Sequence, residues 1–107
     1  MRNIIEIKEG TKGVMAFAEI YGSKWLVIID TVEADDYQPL KLMVYSNFSY
    51  SINTGCISTM HHTRWSYLEE PTLTFYEITE KEKQEIKQIL KNRKLKYVKG
   101  INKILPR

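Results

Sequence analysis

The sequence has little cysteine and no long apolar run, and each absence excludes a class of protein. Cys56 is the single cysteine among 107 residues, so no disulfide can form within the chain, as is usual in a reducing compartment. The longest apolar stretches, 14–18 and 25–29, are far shorter than the ~20 residues that a membrane helix needs. The amino-terminal stretch also lacks the apolar run of a secretory signal. We therefore expect a cytoplasmic protein that does not span a membrane.

The two parts of the chain carry opposite net charge. From Thr79 onward there are ten Lys and Arg but three Glu, a local net of +7, whereas residues 1–78 carry a net of −4. Since 107 residues suffice for one core, we predict a single domain, 1–107, with an acidic β body (1–78) and a basic helix and hairpin (79–107). The basic end is an electrostatic handle for an acidic protein surface or nucleic acid.

Alternating and β-branched residues predict that the body is a sheet. The segment Ser23–Val32 is apolar on both faces, so we expect it to be a central strand that is buried on both sides. The segment 14–21 also fits a helical stripe, but it is short and flanked by Gly, which favours a strand. Further strands are predicted at 3–8, 40–48, 56–61, 65–68 and 72–77, with a polar turn at 33–39. The fold class is therefore α+β: a strongly bent antiparallel sheet, or small barrel, of five to six strands with one helix.

The helix is predicted to begin after Thr79. The sequence Thr79-Glu80-Lys81-Glu82 is a capping box, in which the Thr hydroxyl and the Glu carboxylate each accept a hydrogen bond from the other residue's amide. Its apolar face is narrow, comprising Ile86, Ile89 and Leu90, so we expect the helix to lie on the surface of the sheet. Segments 95–98 and 101–105 then predict a terminal hairpin.

The part of the chain after Ile78 resembles a carboxyl-terminal module of small proteins from phages and mobile elements of gut bacteria. The helix residues that carry the resemblance are Thr79, Glu80, Glu82, Lys83, Ile86 and Leu90, and the hairpin residues are Leu95, Tyr97, Ile101 and Ile104. The resemblance implies an accessory protein, and it transfers no catalytic residue to this chain.

The remaining polar residues do not form a recognisable catalytic or metal-binding pattern. His61 and His62 are adjacent, so on a strand they would point to opposite faces and could not easily share a metal with Cys56. We read Cys56 as a buried structural thiol. The acidic groups at 33–36 and 69–70 are interpreted as solvated turns. We therefore predict no enzymatic activity, no metal and no cofactor.

The candidate binding residues are a basic stripe on the helix that continues into the hairpin. They are Lys83, Lys87, Lys91, Lys94, Lys96, Tyr97, Lys99 and Lys103. Four-residue spacing places the helical lysines on one face, and Tyr97 is placed to stack on a base. Among the other aromatics, Trp65 is the best candidate for exposure, although a packed role is favoured.

These observations leave three functions open. The leading one is a non-enzymatic phage or mobile-element accessory protein that occupies a surface of a host protein. The second is a nucleic-acid-binding module that uses the basic segment. The third, which rests on the resemblance alone, is an anti-defence protein that binds a small nucleotide. Homo-oligomerisation is also left open.

Overall fold

The computed structural model describes residues 2–20, 22–34, 42–59, 63–67 and 73–107. They form eight strands and one helix. In chain order these are β1 (Lys12–Ile20), β2 (Ser23–Ala34), β3 (Leu42–Ser51), β4 (Ile57–Ser58), β5 (Thr63–Tyr67), β6 (Thr74–Tyr76), α1 (Glu80–Asn92), β7 (Leu95–Val98) and β8 (Lys103–Pro106).

Six strands make one antiparallel sheet in the order β4-β3-β2-β1-β6, with β5 also pairing with β3. The predicted α+β class is confirmed. Among the described strands, β6 at one edge does not pair with β4 or β5 at the other, so the sheet is open and the barrel alternative is not supported. Strands β7 and β8 form a separate hairpin.

Strand β2 lies at the centre of the sheet, as predicted. It pairs with β1 on one side and β3 on the other, and the consecutive side chains of Leu26, Val27, Ile28 and Ile29 are all fully buried. Because neighbouring side chains on a strand point to opposite faces, both faces of the sheet must be covered here. The strand interpretation of 14–21 is also confirmed as far as Ile20, where β1 ends; residue 21 lies outside the described residues.

The two faces belong to two separate core clusters. On one face, Leu26 and Ile28 pack with Ile86 and Leu90 of α1. On the other face, Val27 and Ile29 pack with Ile7 of the amino-terminal segment. The helix therefore covers one side of the sheet, as its narrow apolar stripe predicted.

Two irregularities bend the sheet between β2 and β3. The register shifts so that Asp30 of β2 and Asn47 of β3 have no cross-strand partner. Such bulges increase the local twist and change which face the following residues occupy. As a result Ile29 and Val32, three residues apart, belong to the same core cluster.

Several predicted boundaries were wrong. Strand β3 continues to Ser51 rather than ending at 48, β4 ends at Ser58, β5 begins at Thr63 rather than at 65, and β6 is limited to Thr74–Tyr76. Segment 3–8 makes only an isolated bridge, between Ile4 and Tyr76, because it leaves the sheet edge to bury Ile7 on the sheet face. Two residues of the turn expected at 33–39, Glu33 and Ala34, belong instead to β2; the rest of that segment lies outside the described residues. Strand β8 begins at Lys103, because Asn102 adopts a φ of 54° in the hairpin turn.

The capping box at the start of α1 is present in full. The Thr79 hydroxyl accepts from the Glu82 amide at 3.2 Å, and the Glu82 carboxylate accepts from the Thr79 amide at 2.9 Å. The same carboxylate accepts two hydrogen bonds from Arg2, at 2.5 and 2.6 Å. The Arg2 guanidinium also lies 3.9 Å from the centre of the Phe17 ring. Glu82 thus joins the start of the helix to the amino-terminal segment.

Within the described residues α1 is the sole helix, and its 13 residues are too few and too polar to cross a bilayer.

The two-sided burial of β2 predicts the effect of truncating its side chains. Ile28→Ala and Ile29→Ala should each lower the free energy of unfolding by about 2–5 kcal/mol, because each leaves a cavity in one of the two clusters. Ile101→Ala, at a position that is 56% exposed, is the control and should change it by less than about 0.5 kcal/mol. Urea denaturation of the three variants measures these differences. If either buried-site variant matched Ile101→Ala, the two-sided burial would be wrong.

The ion pair of Glu82 predicts an acid-dependent loss of stability. The hydrogen bonds from Arg2, above all, hold the pKa of Glu82 below its ordinary value of 4.5. Because the folded-state pKa is the lower one, the stabilisation is complete above pH 4.5 and is lost as the pH falls through the folded-state value. Glu82→Gln keeps a cap acceptor but removes the ion pair.

At neutral pH, Glu82→Gln should therefore cost roughly 1–2 kcal/mol, since the pair is partly exposed. The difference in free energy of unfolding between Glu82→Gln and wild type should shrink as the pH is lowered below the ordinary pKa of Glu. Urea denaturation across this range measures it, with Glu85→Gln, at an exposed position of the same helix, as the control that removes one carboxylate. A difference that stays constant with pH would contradict the assignment.

Candidate functional site

The helix and the terminal hairpin form the two walls of a groove whose floor is the start of β1. One cavity, of about 490 Å³, lies between Lys83 and Lys87 of α1 and Tyr97 and Lys99 of the hairpin, with Met15 as part of its floor. A second cavity, of about 160 Å³, adds Leu90, Lys96 and Arg107. The two cavities share Met15, Lys87 and Tyr97, so they form one continuous depression, here named the basic groove.

The helix presents its lysines to the groove because of its own periodicity. Lys83 and Lys87 are four residues apart and lie on one face. Ile86 and Leu90, fully buried against the sheet, lie about a sixth of a turn away. Burial of the apolar stripe therefore fixes the direction of the basic stripe.

Tyr97 attaches the hairpin to the floor of the groove. Its hydroxyl lies 3.0 Å from the Gly13 carbonyl oxygen and 3.1 Å from Asn102 Oδ1, as a donor to these acceptors. Burial, and secondarily the charge of Asp30, raises the pKa of the Tyr97 hydroxyl. The hydroxyl is therefore protonated at neutral pH, which suits a structural donor.

Gly13 is required at this junction. Its φ is +64°, and a Cβ added there would lie 2.5 Å from the Tyr97 hydroxyl oxygen. The hairpin can therefore approach β1 this closely only because residue 13 has no side chain.

The charges of the groove are mostly uncompensated. In the described part of the chain, Lys83 is the one groove lysine near a carboxylate, with its Nζ 3.9 Å from Oε2 of Glu80. Arg107 donates from Nε to the Leu95 carbonyl oxygen at 2.9 Å, so its charge is held beside the hairpin. The groove thus combines an apolar floor with positively charged walls, which is an arrangement that can hold anionic groups.

The structure brings together five of the eight predicted binding residues. Those that line the groove are Lys83, Lys87, Lys96, Tyr97 and Lys99. Lys91, Lys94 and Lys103 are exposed and do not line it. Lys94 instead forms the turn after the helix, with a φ of 58°.

Sequence reasoning missed the residues that β1 contributes. Gly13 and Met15 are more than sixty residues from α1 in the sequence, and no local pattern indicates that they meet it. Arg107 was also missed, because nothing in the terminal sequence predicts its hydrogen bond to Leu95.

The other candidate residues form no site within the described residues. Cys56 is exposed, so the interpretation as a buried thiol was wrong; it lies in the turn before β4, where only its backbone is engaged. No cluster of three metal-ligating side chains occurs in this part of the chain. The remaining candidates lie outside what the structure describes. They are His61, His62, the acidic groups at 35–36 and 69–70, and the side chain of Trp65.

No protein-family model matches the chain, and no curated protein or solved structure is significantly similar to it.

The junction predicts that Gly13 is far less tolerant of substitution than Gly10. Both have positive φ, but a Cβ at Gly10 meets nothing within 4 Å. Gly10→Ala should therefore cost about 1 kcal/mol for the backbone conformation alone. Gly13→Ala should cost roughly 1–2 kcal/mol more, because Tyr97 and Asn102 must move. Thermal or urea unfolding compares the two variants, and equal losses would refute close contact at Gly13.

Proposed function

We propose that this protein is a non-enzymatic interaction protein whose basic groove binds an acidic segment of a partner protein. The observation that carries the proposal is the convergence of four lysines from two elements around one groove with an apolar floor. These are Lys83 and Lys87 of α1 and Lys96 and Lys99 of the hairpin region. Mutual repulsion among them is relieved when carboxylates enter.

The resemblance of the helix and hairpin to phage and mobile-element modules supports a more specific form of the proposal. In that form the chain is an accessory protein and the partner is a host protein. A cytoplasmic setting is consistent with the exposed free thiol of Cys56, which would be oxidised readily in an oxidising compartment.

The composition of the groove favours a protein segment over nucleic acid. Met15 gives it apolar surface, which can accept an apolar side chain between the carboxylates.

The extent of the positive charge also favours a protein segment over nucleic acid. Lys91, Lys94 and Lys103 would lengthen the basic surface into a track for a phosphate backbone, but they do not line the groove. Nucleic-acid affinity depends on neutralising many phosphates along a strand. A short cluster of point charges is better matched to a few carboxylates.

Charge reversal in the groove should abolish binding of an acidic peptide. The test variant is Lys83→Glu/Lys87→Glu/Lys99→Glu, and the matched control is Lys81→Glu/Lys91→Glu/Lys103→Glu, whose positions are all exposed and outside the groove. Both variants change the net charge equally. The probe is a fluorescent peptide of about ten Glu residues, measured by anisotropy at low salt.

The groove variant should lose at least about tenfold in affinity, while the control should lose much less, because close charges matter more than the net field. Unchanged melting curves establish that both variants fold. Equal losses would mean that the peptide senses net charge only. A thymidine oligonucleotide of equal charge that bound more tightly through the same lysines would favour the nucleic-acid function, and a mononucleotide that did so would favour the nucleotide-binding one.

A further inference from the structure

Strand β1 has an unpaired stretch of backbone at the basic groove. On one side β1 pairs with β2 from Lys12 to Ile20. On the other side β6 pairs with Phe17, Ala18 and Glu19 only. Among the described strands, none pairs with the β6 side of β1 between Lys12 and Ala16.

The direction of the backbone groups follows from the hairpin between β1 and β2. Its closing pair is Ile20 and Ser23, across a two-residue loop, so the N–H and C=O groups of Ile20 point toward β2. Because this direction alternates along a strand, those of Ala16 also point toward β2. Those of Gly13 and Met15 point away from it.

The hydrogen bond at Gly13 agrees with this alternation. The Gly13 carbonyl oxygen points away from β2 and accepts from the Tyr97 hydroxyl at 3.0 Å. Further along, Phe17 faces Tyr76 of β6. The N–H and C=O of Met15 therefore lie between two occupied positions, and Met15 is one of the residues that line the basic groove.

We infer that the Met15 edge of β1 takes up a short, extended, acidic segment of the partner as an added β-strand. The inference rests on the proposed function and specifies how its ligand is held. Backbone hydrogen bonds to Met15 would supply affinity, and alternate side chains would supply specificity, as in other cases of strand addition.

The two closed ends set the length of the segment. Tyr97 occupies the Gly13 end. At the other end Glu77 follows the Phe17–Tyr76 pair and donates to the Asn3 carbonyl oxygen at 2.8 Å, so about two residues, or roughly 7 Å of strand, can pair. Alternate side chains of an added strand point to the same face. Those that point toward α1 would meet Lys83 and Lys87, so the segment should carry an acidic residue at every second position.

Charge selects this occupant over a second copy of the chain. Pairing of two β1 edges would bring the lysines of both grooves together, including Lys83, Lys87 and Lys99. Like charges placed close together oppose association. An acidic strand relieves the same repulsion.

Amide hydrogen exchange tests the open edge without any ligand. In the free protein the Met15 amide should exchange at least about tenfold faster than the Ala16 amide, which donates to β2. Adding the peptide Glu-Val-Glu-Val-Glu, with blocked ends, should slow exchange at Met15 and leave Ala16 unchanged. If Met15 were as protected as Ala16 in the free protein, the edge would already be occupied and the inference would be overturned.

N-methylated peptides test the added strand without altering the protein. One version carries the methyl groups on the Glu nitrogens and the other on the Val nitrogens. A strand pairs through only one of its two edges, so one version should lose at least about tenfold in affinity while the other retains most of it. The peptide Gln-Val-Gln-Val-Gln measures the contribution of charge.

The outcomes separate this inference from the proposed function. If the acidic peptide binds but both methylated versions behave alike, the groove recognises charge alone, and strand addition is wrong while the proposed function stands. If the unmethylated acidic peptide does not bind better than the Gln peptide, both proposals are wrong. Loss through one edge only, together with protection of Met15, supports both.

Discussion

The structure depends on the burial of β2 on both faces. Four consecutive apolar side chains, Leu26 to Ile29, are removed completely from water, and each face of the sheet must therefore be covered by another part of the chain. Helix α1 covers one face and the amino-terminal segment contributes to covering the other. Each buried aliphatic side chain contributes about 1.5–3 kcal/mol to the free energy of unfolding. The helix and the amino-terminal segment are therefore held on the sheet by the burial of the side chains of β2. The position of the helix, and thus of its lysines, follows from this constraint.

Two polar contacts then restrain the helix and the hairpin. Glu82 caps α1 and pairs with Arg2, which joins the amino-terminal segment to the start of the helix. Tyr97 joins the hairpin to β1 through the Gly13 carbonyl. Apolar packing is non-directional, whereas these hydrogen bonds require particular geometries. The first restrains the start of the helix against the amino-terminal segment, and the second restrains the hairpin against β1.

Local signals predicted much of the fold but only part of the candidate site. The cap at Thr79 and the two apolar faces of β2 are encoded within a few residues, so the sequence indicates them directly. The lysines of the site were found for the same reason, since their spacing is local. Gly13 and Met15 were not, because their place in the groove arises from contacts between distant segments. Likewise the register shifts at Asp30 and Asn47 depend on pairing between strands, which no single strand pattern reveals, and the choice between an open sheet and a barrel depends on such pairing.

The lysines around the groove create one positive electrostatic potential, and that potential has two consequences. An unpaired strand edge is a template for association with other chains, and proteins commonly protect such edges with Lys. The charges of Lys83, Lys87 and Lys99 flank the open part of β1 and oppose pairing with another copy, which would bring the same charges into contact. The positive potential that repels the basic edge of a second copy attracts an acidic strand. Protection of the edge and recognition of an acidic strand are therefore not competing explanations of these residues. Protection alone, however, requires only charge near the edge. It does not require the cavity with an apolar floor beside Met15, and this cavity is the feature that recognition accounts for.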